Sequence, residues 1–194
     1  MSATIGVLAL QGAVAEHERA VHATGAEARR VRRTGELENL DGLVVPGGES
    51  TAIARLAAPT GLLSAVRQRH REGMALFGTC AGLILMAETV TDAEALEGFE
   101  RIGGLDVVVR RNAYGGQLNS FQDHLAVTGL QAPLPAVFIR APLIEEVGPG
   151  VEVLAAARSQ PVAVRQGRIM AASFHPELTA DPRLHQLFTD LAKD

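Results

Sequence analysis

The stretch Met74 to Met86, MALFGTCAGLILM, leaves few folds open to this chain. An apolar segment, Met74 to Phe77, runs into Gly78-Thr79-Cys80-Ala81-Gly82, and a second apolar segment, Leu83 to Met86, follows at once. This is the pattern of a buried strand, a tight turn and a buried helix, with the only cysteine of the chain at the corner. A nucleophile on such a corner sits in a strained backbone conformation where neighbouring side chains would collide, so glycine is needed on both sides. The following helix points unpaired N–H groups at the sulfur and favours a thiolate. The competing reading makes Cys80 a small buried core residue, the usual fate of a free cysteine.

The flanking segments extend the same alternation. Thr4 to Leu10 (TIGVLAL) and Gly42 to Pro46 (GLVVP) are continuous apolar runs of the parallel-strand kind, ending in Gln11-Gly12 and in Gly47-Gly48-Glu49-Ser50. Helices are predicted from Val14 to Thr24, closed by Gly25, from Ser50 or Thr51 onward, and around Leu62, Leu63 and Val66 up to Gly73. Glu27 to Arg33 reads as an edge strand whose Arg29, Arg30, Arg32 and Arg33 form a solvated basic surface, with a phosphate or partner site as the competing reading. Strands alternating with helices, and glycine-rich turns at the strand ends, predict a doubly wound α/β fold.

Beyond Asp92 the rhythm changes. Asp92 to Glu100 is acidic and loop-like. Short strands are predicted at Val107 to Arg110, near Leu118 to Thr128, and at Ala136 to Ile139, Glu152 to Ala156, Val162 to Arg165 and Ile169 to Phe174. Turns fall at Asn112-Ala113-Tyr114-Gly115-Gly116 and Gln166-Gly167, so this half carries added antiparallel strands. The last helix places Leu184, Leu187, Phe188 and Leu191 on one face, behind Asp181-Pro182 as cap and first-turn proline.

A length of 194 residues suits one domain, 1–194. A single cysteine makes no internal disulfide, which favours a reducing cytoplasm. Met1 to Thr4 lacks a basic segment, and the apolar run to Leu10 is too short for a signal or membrane span. A net charge of −4 gives no sign of a nucleic-acid partner. No histidine, cysteine and carboxylate set has ligand spacing, so no metal is expected, and nothing implies a bound cofactor.

A nucleophilic cysteine needs a base, and the base an orienting group. His17, His22, His70 and His185 fall in predicted helices among charged residues and read as solvated surface groups; His124 is uninformative. His175 differs: it follows the apolar strand ending Ala172-Ser173-Phe174 and opens His175-Pro176-Glu177. A histidine there lies on the edge where open α/β sheets keep their sites, and a carboxylate two residues on can set its tautomer. The competing reading is a strand-end turn in which His175 caps backbone groups. Chemistry at a carbonyl also requires an oxyanion hole. One donor is the N–H of Ala81; the other comes from the glycine turn near Gly48.

Gly-Thr-Cys-Ala-Gly with a later Phe-His-Pro-Glu resembles the class I (triad) glutamine amidotransferases, and within them the glutaminase subunits of pyridoxal 5'-phosphate synthases. The likeness is carried by Leu10-Gln11-Gly12-Ala13, Pro46 to Thr51, Gly78 to Leu83, Arg111 to Gly115, Val137 to Pro142 and Ser173 to Thr179, across nearly the whole chain. It departs at Thr91 to Gly103, a longer segment, and at Arg110, where an acidic residue is expected. The resemblance implies a three-layer, flavodoxin-like fold with a mostly parallel central sheet and helices on both faces. It implies hydrolysis of L-glutamine to L-glutamate and ammonia by Cys80, His175 and Glu177 through a glutamyl thioester, with the oxyanion held by Gly48 and Ala81. It further implies a glutamine pocket lined by Gly48, Glu49, Ser50, Arg111, Ile139 and Arg140. An arginine suits the substrate α-carboxylate because its planar fork pairs bidentately, and which arginine does so stays open. The implied partner is a synthase subunit that takes the ammonia, with Gln11, Gly12 and Gly47 as coupling residues. Alternatives are a glutaminase serving another synthase, such as the histidine-pathway type, a hydrolase or peptidase on the same scaffold, and a non-catalytic subunit.

Overall fold

The computed structural model describes residues 2–111 and 120–194. The predicted turn at Asn112 to Gly116 and the first residues of the strand expected near Leu118 lie outside the described residues. The first half follows the predicted alternation: β1 (Thr4–Leu8), α1 (Val14–Ala23), β2 (Glu27–Val31), β3 (Gly42–Val45), α2 (Ser50–Ala57), α3 (Leu62–Arg71), β4 (Ala75–Thr79) and α4 (Ala81–Met86). The second half brings β5 (Ala87–Val90), β6 (Leu105–Arg110), β7 (Ser120–Leu125), β8 (Leu134–Ile139), β9 (Leu143–Val147), β10 (Glu152–Ala157), β11 (Gln160–Gln166), β12 (Ile169–Ala172) and α5 (Arg183–Lys193).

Among the described residues the main sheet has 7 strands in the order β10-β11-β12-β4-β3-β1-β2. From β12 to β2 the pairings are parallel, whereas β10 and β11 are joined antiparallel at one margin. Burial on both faces explains the continuous apolar runs: every residue of β3, β4 and β12 is buried. One face packs under α2, α3 and α4, with Ile53, Leu62, Val66 and Leu83 in its core. The other packs under α1 and α5, with Val21, Leu184 and Phe188. The small sheet β5-β6-β9 closes the first core through Leu105, Val107 and Ile144, and the β7-β8 ribbon closes the second through Leu134 and Phe138.

Two strands, β5 and β9, were not expected. The long segment after β5 is tied down: Arg101 donates to the carbonyl of Ala87 at 2.6 Å, and Arg67 to that of Ile102 at 2.6 Å. Arg110, opposite Leu143, pairs with Glu145 further along β9, so the basic residue where an acid was expected has an acid within reach. The arginines of β2 are a solvated surface: Arg29 pairs with Glu27 and Arg30 with Glu18, each at 2.8 Å. In α5 the buried stripe is Leu184, His185, Phe188, Thr189 and Ala192, rotated from the predicted face, and Leu187 and Leu191 are only partly buried. Pro182 stands at the cap position rather than in the first turn, with Asp181 Oδ1 accepting from the N–H of Arg183 at 3.1 Å. No helix among the described residues is long and apolar enough to cross a membrane.

Candidate active site

The carboxyl ends of β12, β4 and β3, three neighbours in the sheet, carry the candidate residues. Cys80 follows β4 directly, with φ 49° and ψ −100°, a conformation that costs a non-glycine residue about 1–3 kcal/mol. The flanking glycines are explained by close approach. A Cβ on Gly78 would lie 2.7 Å from the carbonyl carbon of Gly82, and one on Gly82 would collide with the carbonyl oxygen of Val45. The corner is thus clamped between β3 and the start of α4. That helix has only 6 residues, so it offers its first free N–H groups rather than a long aligned dipole.

His175 and Glu177 lie in the turn after β12. His175 Nδ1 is 2.7 Å from Glu177 Oε1, and both residues are buried. The backbone holds each member in place. The N–H of Cys80 donates to Ala172 of β12 at 2.8 Å, and that of His175 to Val137 of β8 at 2.8 Å. Burial alone would lower the basicity of His175, but hydrogen bonds to Cys80 and Glu177 and the negative charge of both outweigh it, raising its pKa to about 10. The ring is poised between a sulfur and a carboxylate, and both favour its charged form. The alternative of a turn histidine capping backbone groups does not account for this, since both contacts are side chain to side chain.

The glycine turn after β3 presses on the same ring. A Cβ on Gly47 would collide with His175 and lie 3.3 Å from Cys80 Cβ. The N–H of Gly47 donates to Thr79 Oγ1 at 2.9 Å. Gly48 has φ +153° and is covered by Gln11, whose Oε1 accepts from the N–H of Glu49 at 2.7 Å. A Cβ on Gly12 would strike the carbonyl oxygen of Gly47. Gln11, Gly12, Gly47, Gly48 and Glu49 are therefore one packed unit. Ser50 is buried as the first residue of α2, and Ala81 as the first residue of α4.

The other predicted pocket residues sit on the smaller sheets. Ile139 ends β8 and is 40 % exposed; Arg140 follows it, exposed, with φ 45°. The bond from His175 to Val137 places this strand end beside the site. Arg111 follows β6, its N–H donating to Asp92 Oδ1 at 2.7 Å. Its Nε is buried and has no hydrogen-bond partner among the described residues.

Two functional candidates escaped the sequence. His17 and His185, read as solvated, are both 0 % exposed and lie behind Glu177. The signal was present in α1, where Val14, His17 and Val21 share one face. His22 is exposed as expected, His124 is exposed as well, and His70, also read as solvated, is half-buried and bonded to the carbonyl of Met74.

The profile of the SNO glutamine amidotransferase family matches residues 7–193. Pyridoxal 5'-phosphate synthase subunit PdxT of Parafrankia sp. (strain EAN1pec) is 56 % identical over 190 residues, covering 97 % of this chain and 93 % of the relative. The subunit of the same name from Niallia circulans is 50 % identical over 190 residues and covers 98 % of both chains. A crystal structure of a glutamine amidotransferase superposes with a TM-score of 0.91 at 49 % identity, covering 98 % of this chain and 99 % of that one.

Proposed function

Since the chain belongs to the SNO glutamine amidotransferase family, we infer that it is the glutaminase subunit of a pyridoxal 5'-phosphate synthase and works as one catalytic domain. The observation that carries the catalytic reading is the buried line from Cys80 through His175 to Glu177 at the ends of adjacent strands, whose two outer members both favour a charged ring between them. The Cys80 sulfur attacks the side-chain amide carbon of L-glutamine, and the carbonyl oxygen becomes an oxyanion that takes the N–H groups of Ala81 and Gly48. The tetrahedral adduct collapses, the C–N bond breaks, and His175 gives its proton to the departing nitrogen, releasing ammonia and leaving a glutamyl thioester. The neutral ring then takes a proton from water, whose oxygen attacks the thioester carbon. The C–S bond breaks, glutamate leaves, and the sulfur–imidazolium pair is restored. Glu177 keeps Nδ1 protonated and the ring oriented throughout.

Gly48, Glu49, Ser50, Arg111, Ile139 and Arg140 form the glutamine pocket in this reading. The buried Nε of Arg111, without a hydrogen-bond partner among the described residues, supports a role in anion binding, since a half-buried guanidinium short of acceptors favours a carboxylate ligand. Free ammonia in water is largely protonated and no longer a nucleophile, so the product is passed to a synthase subunit docked over the site, in the cytoplasm, where the lone thiol stays reduced. Gln11 and Gly12, packed against Gly47-Gly48, connect that docking surface to the oxyanion turn. Docking orients the Gly47-Gly48 peptide so that its N–H faces the oxyanion; a structure of the complex with that N–H turned away from Cys80 would rule this step out.

The test is glutamate release from L-glutamine with and without the cognate synthase subunit, beside Cys80→Ala. Release that the partner stimulates and the variant lacks is the expected result. Full release without the partner would remove the coupling role of Gln11 and Gly12. No release from a complex shown to form would overturn the glutaminase reading.

A further inference from the structure

The mechanism above leaves two buried imidazoles unused. His17 on α1 and His185 on α5 meet behind the triad, with His17 Nδ1 2.9 Å from His185 Nε2. The other nitrogen of His17, Nε2, lies 3.1 Å from Thr79 Oγ1 and 3.4 Å from Glu177 Oε2. Glu177 uses Oε1 for His175, and Thr79 Oγ1 accepts the N–H of Gly47. One ring therefore faces both the carboxylate behind the base and the hydroxyl that holds the glycine turn.

The proton positions follow from elimination. A neutral imidazole has one N–H and one lone pair. With the His17 proton on Nδ1, its Nε2 lone pair would point at the Glu177 carboxylate. His185 Nε2 would then have to accept, placing the His185 proton on Nδ1, a buried atom without a hydrogen-bond partner. With the His17 proton on Nε2, each N–H finds an acceptor. His185 Nε2–H donates to His17 Nδ1, and His17 Nε2–H donates to Thr79 Oγ1 and turns its positive edge to Glu177 Oε2, 3.4 Å away. The His185 Nδ1 lone pair and Glu177 Oε2 are left without a hydrogen bond, and bare buried acceptors are tolerated better than a bare donor. Both rings stay neutral. Burial lowers the pKa of each, His185 to about 4, and for His17 the neighbouring His185 and His175 add to the effect. The titratable groups facing His17 are His185 from α5 and His175 and Glu177 from the turn after β12.

We propose that His17, set in its Nε2–H tautomer by His185, is a positioning residue that fixes Glu177 and the Thr79 hydroxyl together, so that one ring aligns the base and the glycine turn. The inference rests on the triad proposed above. Without His17, the Glu177 charge is shared with His175 alone. The imidazolium is then held more tightly and gives its proton to the leaving nitrogen less readily.

Two measurements test this. Nitrogen-15 NMR of histidine side chains in the wild-type protein is expected to show His17 and His185 neutral and protonated at Nε2 from pH 6 to 9. His17 protonated at Nδ1, or charged at pH 7, would overturn the proposal, and this arm needs neither a variant nor activity. With the synthase partner present, His17→Leu should lower kcat roughly tenfold with glutamine KM little changed, and should move the alkaline limb of the kcat profile upward. His17→Gln, whose amide N–H reaches the place of Nε2–H, should restore most of both. Equal losses in the two variants, with the limb unmoved, would reduce His17 to a packing residue. A wild type that hydrolyses no glutamine while the NMR pattern holds would count against the proposed function alone.

Discussion

The strand ends that carry Cys80 and His175 and the smaller sheets that carry Arg111, Ile139 and Arg140 are assigned to one site in the proposed function and are built differently. The first region is buried from both faces, cross-bonded strand to strand, and packed so closely that Gly47, Gly78 and Gly82 tolerate no side chain. The second is a pair of outer sheets whose functional side chains are partly exposed at strand ends. Reacting atoms have to be held to fractions of an ångström, whereas a substrate's carboxylate is caught by long guanidinium arms that tolerate movement. On the proposed function, the inner region is expected to set kcat and the outer one KM.

The comparison breaks most sharply at Cys80. Cys80→Ala should lower glutamine hydrolysis by about 10⁴-fold or more while leaving fold and partner binding intact, as read by glutamate release and co-purification. Gly47→Ala should follow, its Cβ driven into the His175 ring, lowering kcat by about 10²-fold with a smaller effect on KM. On the outer side the order reverses. Arg111→Ala should raise glutamine KM by roughly tenfold with kcat largely kept, and an unchanged KM would take Arg111 out of the pocket. A subtler contrast lies in pH. His185 is lowered in the folded state to about 4 from 6.5, so its contribution is present above pH 6.5 and is lost as pH falls from there toward 4. His185→Phe should therefore flatten the loss of stability across that acid range in urea titrations. The smallest effect belongs to the outer ribbon, where Arg158 lies 4.2 Å over the ring of Phe121, which stacks on Phe138. Arg158→Ala should cost about 0.5–1 kcal/mol of stability and leave both kinetic constants alone.

The same division governs how much the sequence disclosed. The inner region was legible because parallel strands buried on both faces must be continuously apolar, and because the corner at Cys80 and the turn at His175 require special residues in fixed order. The outer sheets were less so: β5 and β9 are short, carry charged residues such as Glu88 and Glu145, and are strands only because β6 lies between them. His17 and His185 were misread for a related reason. His17 lies between Glu16 and Glu18, and His185 lies in a helix with Arg183 and Asp190, so local polarity argued for solvent, whereas the helical period turns both rings inward. For α5 the leucines at Leu187 and Leu191 drew the predicted face away from the true one. Arg140, at a positive φ, has no local signal that a sequence alone exposes.

One feature of the inner region bears on durability. The amides of Cys80 and His175 are spent on bonds to Ala172 and Val137, so neither residue can leave its place unless strands part. These amides should exchange with solvent only as slowly as the sheet itself opens, and heat should extinguish activity and tertiary structure at one temperature. A catalyst fastened in this way passes through no worn, half-working stage: its service life is that of its scaffold.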